Sequence, residues 1–270
     1  MYFICPLCKN TLNKKENIFT CNNNHCYDIS KHGYVNLLLS QKSSKKRHGD
    51  DKLMLKSRQD FLEKGFYKPL LDSLTAEVLK KSDGKAVTVL DVGCGEGYYT
   101  ANISKAIPDS QIYGIDISKE ALIFAAKRDR SLKLAAASCA DIPLQNECCD
   151  IILNIFSPTV CSEFSKILKH DGILIKAFPL ENHLFGLKTA IYETPYKNKP
   201  EKLALDGFEI SNVHELRYTL ELTSNEDIIN LFKMTPYFYK TSRADQAKLQ
   251  TLSFLKTEAE FGIAVYKKIF

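Results

Sequence analysis

Two clusters in this 270-residue chain have residue types and spacings that can do chemistry. In the first, Cys5-Pro-Leu-Cys8 is followed after twelve residues by Cys21 and after three more by His25, a C-x2-C-x12-C-x3-H pattern. Four such ligands suit tetrahedral Zn2+, and a site closed by four protein ligands is structural rather than catalytic. Cys26 competes with His25 for the fourth place and would make the set all-thiolate. The second cluster is Asp91-Val-Gly93-Cys-Gly95-Glu96-Gly97, directly after an apolar, β-branched run and before a helical pattern. Glycines there let the backbone turn sharply and approach a ligand, while the helix N-terminus offers free amides to its polar groups. A dinucleotide fingerprint needs G-x-G-x-x-G. Here the third glycine comes one place early and Tyr98 occupies its slot, which argues against NAD or FAD.

The elements that must position these residues follow from periodicity. From Leu53 to Lys81 apolar residues recur at helical spacing, with Leu70, Leu71, Leu74, Val78 and Leu79 on one stripe. Gly65 and Pro69 divide the stretch into two helices, proline being tolerated in a first turn. The runs VTVLDVGC, QIYGIDI, DIILNIF and GILIKAF read as buried strands, with helices expected at 98–106, 118–128 and 160–169. Strand alternating with helix at this pitch implies a parallel, doubly wound sheet. Toward the C-terminus HELRYTLEL and FGIAVYKKIF read as strands, separated by helical stretches NEDIINLFKM and RADQAKLQTLSFLKTEAE, so the sheet should close with an antiparallel pair.

The acid-x-Gly-x-Gly-x-Gly turn resembles motif I of class I S-adenosylmethionine methyltransferases. The resemblance implies that Gly93, Gly95 and Gly97 wrap the methionine and ribose portion of the cofactor while Asp91 supports its amino group. Asp116, ending QIYGIDI, matches the residue that receives the ribose hydroxyls, a role that suits a carboxylate because it accepts two hydrogen bonds at once. Asp141, in CADIPL, resembles the residue that meets the adenine amino group. Any one of these alone would read as a strand-end or turn aspartate. Methyl transfer from a sulfonium needs no metal, so catalysis would be mainly positioning and the zinc would not take part in the chemistry.

Composition bounds the rest. With 44% hydrophobic and 26% charged residues and no apolar run near the roughly 20 needed to span a bilayer, the chain reads as soluble. Its first residues lack a secretory signal pattern, so a cytoplasmic protein is expected. Nine cysteines, an odd number with four among the first 26 residues, point to metal binding rather than disulfides. Cys94, Cys139, Cys148, Cys149 and Cys161 read as small buried side chains. Residues 1–39 form a zinc-stapled module, 40–52 a polar basic linker that would let it move independently, and 53–270 the methyltransferase domain. The net charge of +5 is compatible with a polyanionic partner.

Taken together, CPLC, the C…H pair, DISKHGYVNLL, DFLEKGFYKPL, DVGCGEGYYT and MTPY resemble, over nearly the whole length, the bacterial 23S rRNA guanine-N1 methyltransferase family. The resemblance implies a class I, Rossmann-like α/β fold with a mostly parallel seven-stranded sheet and an antiparallel last strand, plus the small N-terminal zinc module. It implies transfer of a methyl group to N1 of one guanine in an rRNA hairpin, with the zinc module helping to recognise the RNA, and a tendency to homodimers. Cys5, Cys8, Cys21 and His25 match the zinc ligands, Tyr67 a cofactor-contacting tyrosine, Gly95 and Glu96 the glycine-turn contact, and His183 a later cofactor-proximal position. Without the resemblance Tyr67 would read as a half-buried core residue and His183 as a surface loop residue. Guanine N1 carries a proton at neutral pH, so an acceptor is needed, with Glu181, His183 and Asp141 as candidates. Asn154 stands where many amino-group methyltransferases place Asn-Pro-Pro-Tyr, but that tetrapeptide is missing, which disfavours exocyclic methylation. Lys9, Lys14, Lys15, Lys31, Lys42, Lys45, Lys46 and Arg47 could track phosphates, and Tyr27 and Tyr34 could stack on unpaired bases or pack around zinc. The competing readings are a small-molecule methyltransferase with an incidental metal module and a non-catalytic zinc-dependent RNA-binding protein.

Overall fold

The structure, a computed structural model, describes residues 2–39 and 51–269. The expected basic linker therefore lies almost wholly outside the described residues. The N-terminal part folds as three short antiparallel strands, β1 (Asn13–Lys15), β2 (Ile18–Thr20) and β3 (Cys26–Asp28), followed by β4 (Tyr34–Asn36). Two helices come next, α1 (Lys52–Glu63), N-capped by Asp51, and α2 (Lys68–Ser82), which has proline in its first turn as expected.

The strand–helix alternation then runs β5 (Thr88–Val92), α3 (Tyr98–Ala106), β6 (Gln111–Asp116), α4 (Lys119–Arg128), β7 (Lys133–Ala136), β8 (Cys149–Ile155), α5 (Cys161–Ile167) and β9 (Leu168–Pro179). After it come α6 (Phe185–Ile191), β10 (Phe208–Leu222), α7 (Asn225–Lys233), α8 (Arg243–Lys248) and β11 (Leu255–Lys268). The sheet order is β10-β11-β9-β8-β5-β6-β7-β4, parallel throughout except that β11 runs antiparallel to both neighbours. Omitting β4, this is the seven-stranded arrangement with an antiparallel last strand that the resemblance implied. All five residues of β5 are buried, as a strand covered on both faces requires.

Three differences from the sequence reading have physical causes. The stretch LKTEAE, rich in helix formers, belongs to β11, because the long strand β10 offers it a ladder from Leu222↔Leu255 to Phe208↔Lys268, broken only by a bulge between Ile210 and Asn212. The helix α6, in the stretch containing His183, was not foreseen. And the N-terminal module does not stand apart from the sheet. β4 extends it as an eighth strand, parallel to β7. Phe3 is buried edge-on against Tyr113 at 5.3 Å and against Phe19 at 6.0 Å, and Tyr2 N–H donates to the Tyr113 hydroxyl. Leu12 and Phe19 lie in the same apolar cluster as Ile115, Ile142 and Leu144 of the strand–helix domain. A shared core replaces the expected independently moving unit.

Candidate active site and metal centre

The parallel strands end together, and outside their C-terminal ends lies a cavity of about 1090 Å3. Its floor is the glycine turn after β5. Gly97 caps α3 with φ +82°, and a Cβ there would lie 2.8 Å from Ala125 Cα of α4, so only glycine lets the two helices approach. Gly93, at φ +77°, would meet Ser157 Cβ at 2.6 Å, which fixes it against the loop after β8. Residues of α1, the α1–α2 junction and the segment after α7, among them Arg58, Tyr67 and Tyr237, close the cavity from above.

Of the sequence-derived candidates, Tyr67, Asp91, Gly93, Gly95, Glu96, Asp116 and His183 line this cavity together. The Asp91 carboxylate is buried. Its Oδ2 accepts from the Thr100 hydroxyl at 2.5 Å while Oδ1 has no partner among the described residues. Burial raises the Asp91 pKa to about 7, the Thr100 bond lowering it and the charge of Asp116 raising it further. A buried carboxylate oxygen without a donor is costly, and a cationic ligand group would remove that cost. This is the fit expected for a cofactor amino group. Asp116 accepts from Gly95 N–H at 2.9 Å and from Ser118 N–H at 2.7 Å, which aims the carboxylate along the turn.

Glu96 is nearly sealed and paired with Arg128, whose guanidinium also reaches Glu63 and lies 5.6 Å from the Tyr98 ring centroid. Burial raises the Glu96 pKa and Arg128 opposes it. Arg128 thus clamps the turn from α4. Nothing in the local pattern marks it, because its partners lie 32 and 65 residues away.

His183 is neutral and its acceptor nitrogen is occupied. Glu260 N–H donates to Nδ1 at 3.2 Å, so Nε2 carries the proton and faces the Tyr67 hydroxyl at 3.4 Å. Burial, aided by the Lys188 charge, lowers its pKa to about 3. It packs at 4.6 Å from Phe261, so it supports the cavity wall and is not poised to take a proton. Burial likewise raises the Tyr67 pKa far above its ordinary value, which keeps the phenol protonated.

Asp141, the expected adenine contact, does not line the cavity. Its carboxylate pairs with Lys9 of the metal module at 2.7 Å, with both side chains about half exposed, and the cavity wall nearby is Ala137, Ser138 and Cys139. The exposed Glu181 is not in the cavity wall either. Asn154 is fully buried and ties down the loop after β8. Its amide donates to Ser157 Oγ at 2.6 Å and accepts from the Thr159 hydroxyl at 2.9 Å. Beyond that loop the cavity is lined by Phe156, Lys176, Glu201 and Lys202, which the sequence reading did not single out. Phe156 is a non-glycine residue at φ +55° and is 46% exposed, an aromatic at the cavity mouth.

The second site is the cysteine cluster. One donor atom from each of Cys5, Cys8, Cys21 and His25 lies within 4.8 Å of every other. The Cys8 and Cys21 sulfurs are 3.6 Å apart, and His25 Nδ1 is 3.4 Å from Cys5 Sγ and 3.5 Å from Cys21 Sγ. A tetrahedral zinc with sulfur at about 2.3 Å places its sulfurs about 3.8 Å apart, so the donors fit Zn2+. Cys26 is exposed with its thiol on Asn24 C=O, outside the cluster, which leaves His25 as the fourth donor. The Tyr27 hydroxyl lies 3.1 Å from Cys5 Sγ, and Tyr34 packs partly buried against the core, so both pack inward rather than standing free to stack on bases.

The chain matches two family models, a zinc ribbon described as "RlmA, N-terminal" over residues 3–46 and a methyltransferase domain over residues 83–215. A Bacillus subtilis (strain 168) protein, YxjB, provisionally named a 23S rRNA (guanine-N(1)-)-methyltransferase, is 34% identical over 98% of this chain and 97% of its own. The 23S rRNA (guanine(748)-N(1))-methyltransferase of Streptomyces fradiae is 30% identical over 82% of this chain and 80% of its own. A Micromonospora griseorubida protein, with the same provisional name as YxjB, is 28% identical over 89% of this chain and 88% of its own.

Proposed function

This chain belongs to the 23S rRNA (guanine-N(1)-)-methyltransferase family, and on that premise we propose that it methylates N1 of one guanine in a 23S rRNA hairpin. The observation that carries the reading is the orphaned oxygen of Asp91, a residue lining the cavity at the strand ends, in a chain that also holds the four-donor metal cluster. S-adenosylmethionine supplies an electrophilic methyl group when bound. Asp91 would hold its amino group, Gly93 and Gly95 would let the backbone approach it, and Asp116 would accept hydrogen bonds from its ribose hydroxyls. Arg128, through Glu96, keeps the turn in place. Zinc is structural, since four protein donors leave no position for a substrate.

The protein's own residues then orient the base and exclude water. Phe156 offers a face on which an extruded guanine can stack, and Tyr67, Tyr99 and Tyr237 wall the cavity. The Asn154 amide is committed to its own loop, which fits a ring-nitrogen target better than an exocyclic amine. The division into 1–39, 40–52 and 53–270 belongs to this proposal, with β4 the strand that joins module to sheet, and so do the cytoplasmic location and the homodimer. No helix among the described residues is long and apolar enough to cross a membrane. A particle of twice 30.6 kDa in sedimentation would support the dimer. The activity test is incubation of the purified protein with radiolabelled cofactor and large-subunit rRNA from cells that lack the enzyme. The expected product is 1-methylguanosine at one hairpin position by mass mapping, and no label in that RNA overturns the reading.

A further inference from the structure

Four carboxylates line the cavity among the described residues: Asp91, Glu96, Asp116 and Glu201. The first three belong to the glycine turn and the end of β6, where Thr100, Arg128 and the amides of Gly95 and Ser118 hold them. Glu201 stands elsewhere. Its Oε1 pairs at 2.6 Å with Lys176, whose side chain is 8% exposed, while Glu201 remains 34% exposed. Lys176 lies on β9 directly beside Asn154 of β8, so the pair sits by the β8 loop that carries Phe156.

The segment bearing Glu201 is fastened on both sides. Three residues before it, the Asn198 side chain accepts from Lys188 Nζ at 2.6 Å and donates to Leu180 C=O at 2.8 Å. Two residues after it, the Tyr266 hydroxyl donates to Leu203 C=O at 3.0 Å. Lys188 is fully buried, its ammonium 4.6 Å from the Tyr196 ring centroid and 5.0 Å from that of Tyr237. An otherwise irregular segment thus holds one carboxylate at a fixed place.

The guanine Watson–Crick edge presents two parallel donors, N1–H and an N2 amino hydrogen, and a carboxylate accepts both. We propose that Glu201 reads that edge and accepts the N1 proton, with Lys176 as its positioning residue; the assignment rests on the guanine-N1 reading above. As N1 bonds to the methyl carbon, the carbon–sulfur bond breaks with its electron pair left on sulfur. The N1 proton passes to Glu201, which returns it to solvent through its exposed side. The groups that face Glu201 are Lys176 from β9, its chain neighbour Lys202, and Tyr266 from β11.

Methylation of the rRNA hairpin by wild type and Glu201→Gln, followed from pH 6.5 to 9.5, tests this, with cofactor and hairpin affinities measured on the same preparations. Glu201→Gln should leave cofactor affinity within about threefold, weaken hairpin binding by about 10-fold because Gln can accept only one of the two guanine donors, and lower kcat at pH 7 by about a hundredfold or more. That deficit should close as pH rises, because a guanine already ionised at N1 needs no acceptor. Lys176→Met should keep cofactor binding and lower kcat at pH 7 by about tenfold or more, and Lys176→Arg, which keeps a cation beside Glu201, should restore it. Glu201→Gln activity within threefold of wild type, a deficit equal at every pH, or lost cofactor binding would each overturn the assignment. Wild type that labels no guanine N1 would remove the function reading itself, and it shows in a different protein sample from the other outcomes.

Discussion

Asp91 carries the residue-scale consequence with the clearest sign. A carboxyl held at about 7 in the folded chain, against about 4 when unfolded, binds more protons in the native state between those values. Stability from this group is therefore complete below about pH 4 and is lost as pH rises through about 7. An ammonium at the orphaned oxygen reverses the balance, so cofactor binding should expel a proton below pH 7. Affinity for S-adenosylmethionine is expected to tighten from pH 5.5 to about 7 and then level off. Asp91→Asn should flatten that dependence and weaken binding at pH 8 by about 10- to 100-fold, the worth of a hydrogen bond to a charged group. Calorimetry in buffers of different ionisation enthalpy reads the proton directly, and a wild-type affinity independent of pH would contradict this role. The sequence marked Asp91 by its place before the glycines, yet its unpaired oxygen depends on Thr100 and on everything that buries it.

Glycines in one turn have different jobs at the scale of elements. Gly97 abuts the backbone of α4, which cannot yield, whereas a Cβ on Gly95 would meet only the tip of Arg58 at 3.6 Å. Gly97→Ala should cost about 1–3 kcal/mol as an overpacked helix contact, on top of the positive-φ strain that Gly95→Ala shares. Denaturant midpoints should therefore fall further for Gly97→Ala than for Gly95→Ala, and the reverse order would mean that α3 and α4 are not in register through this glycine. The turn and its flanking elements were legible because strand, glycines and helix are consecutive in the chain. The long β10–β11 ladder was only half legible. LKTEAE has the composition of a helix, and its partner strand lies more than thirty residues upstream.

For the molecule as a whole, the docking of the metal module is decided by magnitude. The Lys9–Asp141 pair is half exposed on both sides and worth at most about 1 kcal/mol. Phe3 is 1% exposed at the centre of the shared core, and Phe3→Ala should cost about 3–5 kcal/mol. Chelating zinc should consequently lower the melting temperature of the entire chain in one transition by differential scanning calorimetry, and two separate transitions would show a module that folds alone. Zinc donors, glycine turn and strand–helix alternation were set by the sequence itself, because each is a short-range pattern whose spacing encodes its geometry. Tertiary structure alone decided the rest. Asp141 went to the module contact, His183 became a neutral wall residue, and Lys176, 25 residues from Glu201, came to hold it in the cavity. The physical reason is that these contacts join segments whose separation along the chain says nothing about where the packed sheet will bring their side chains.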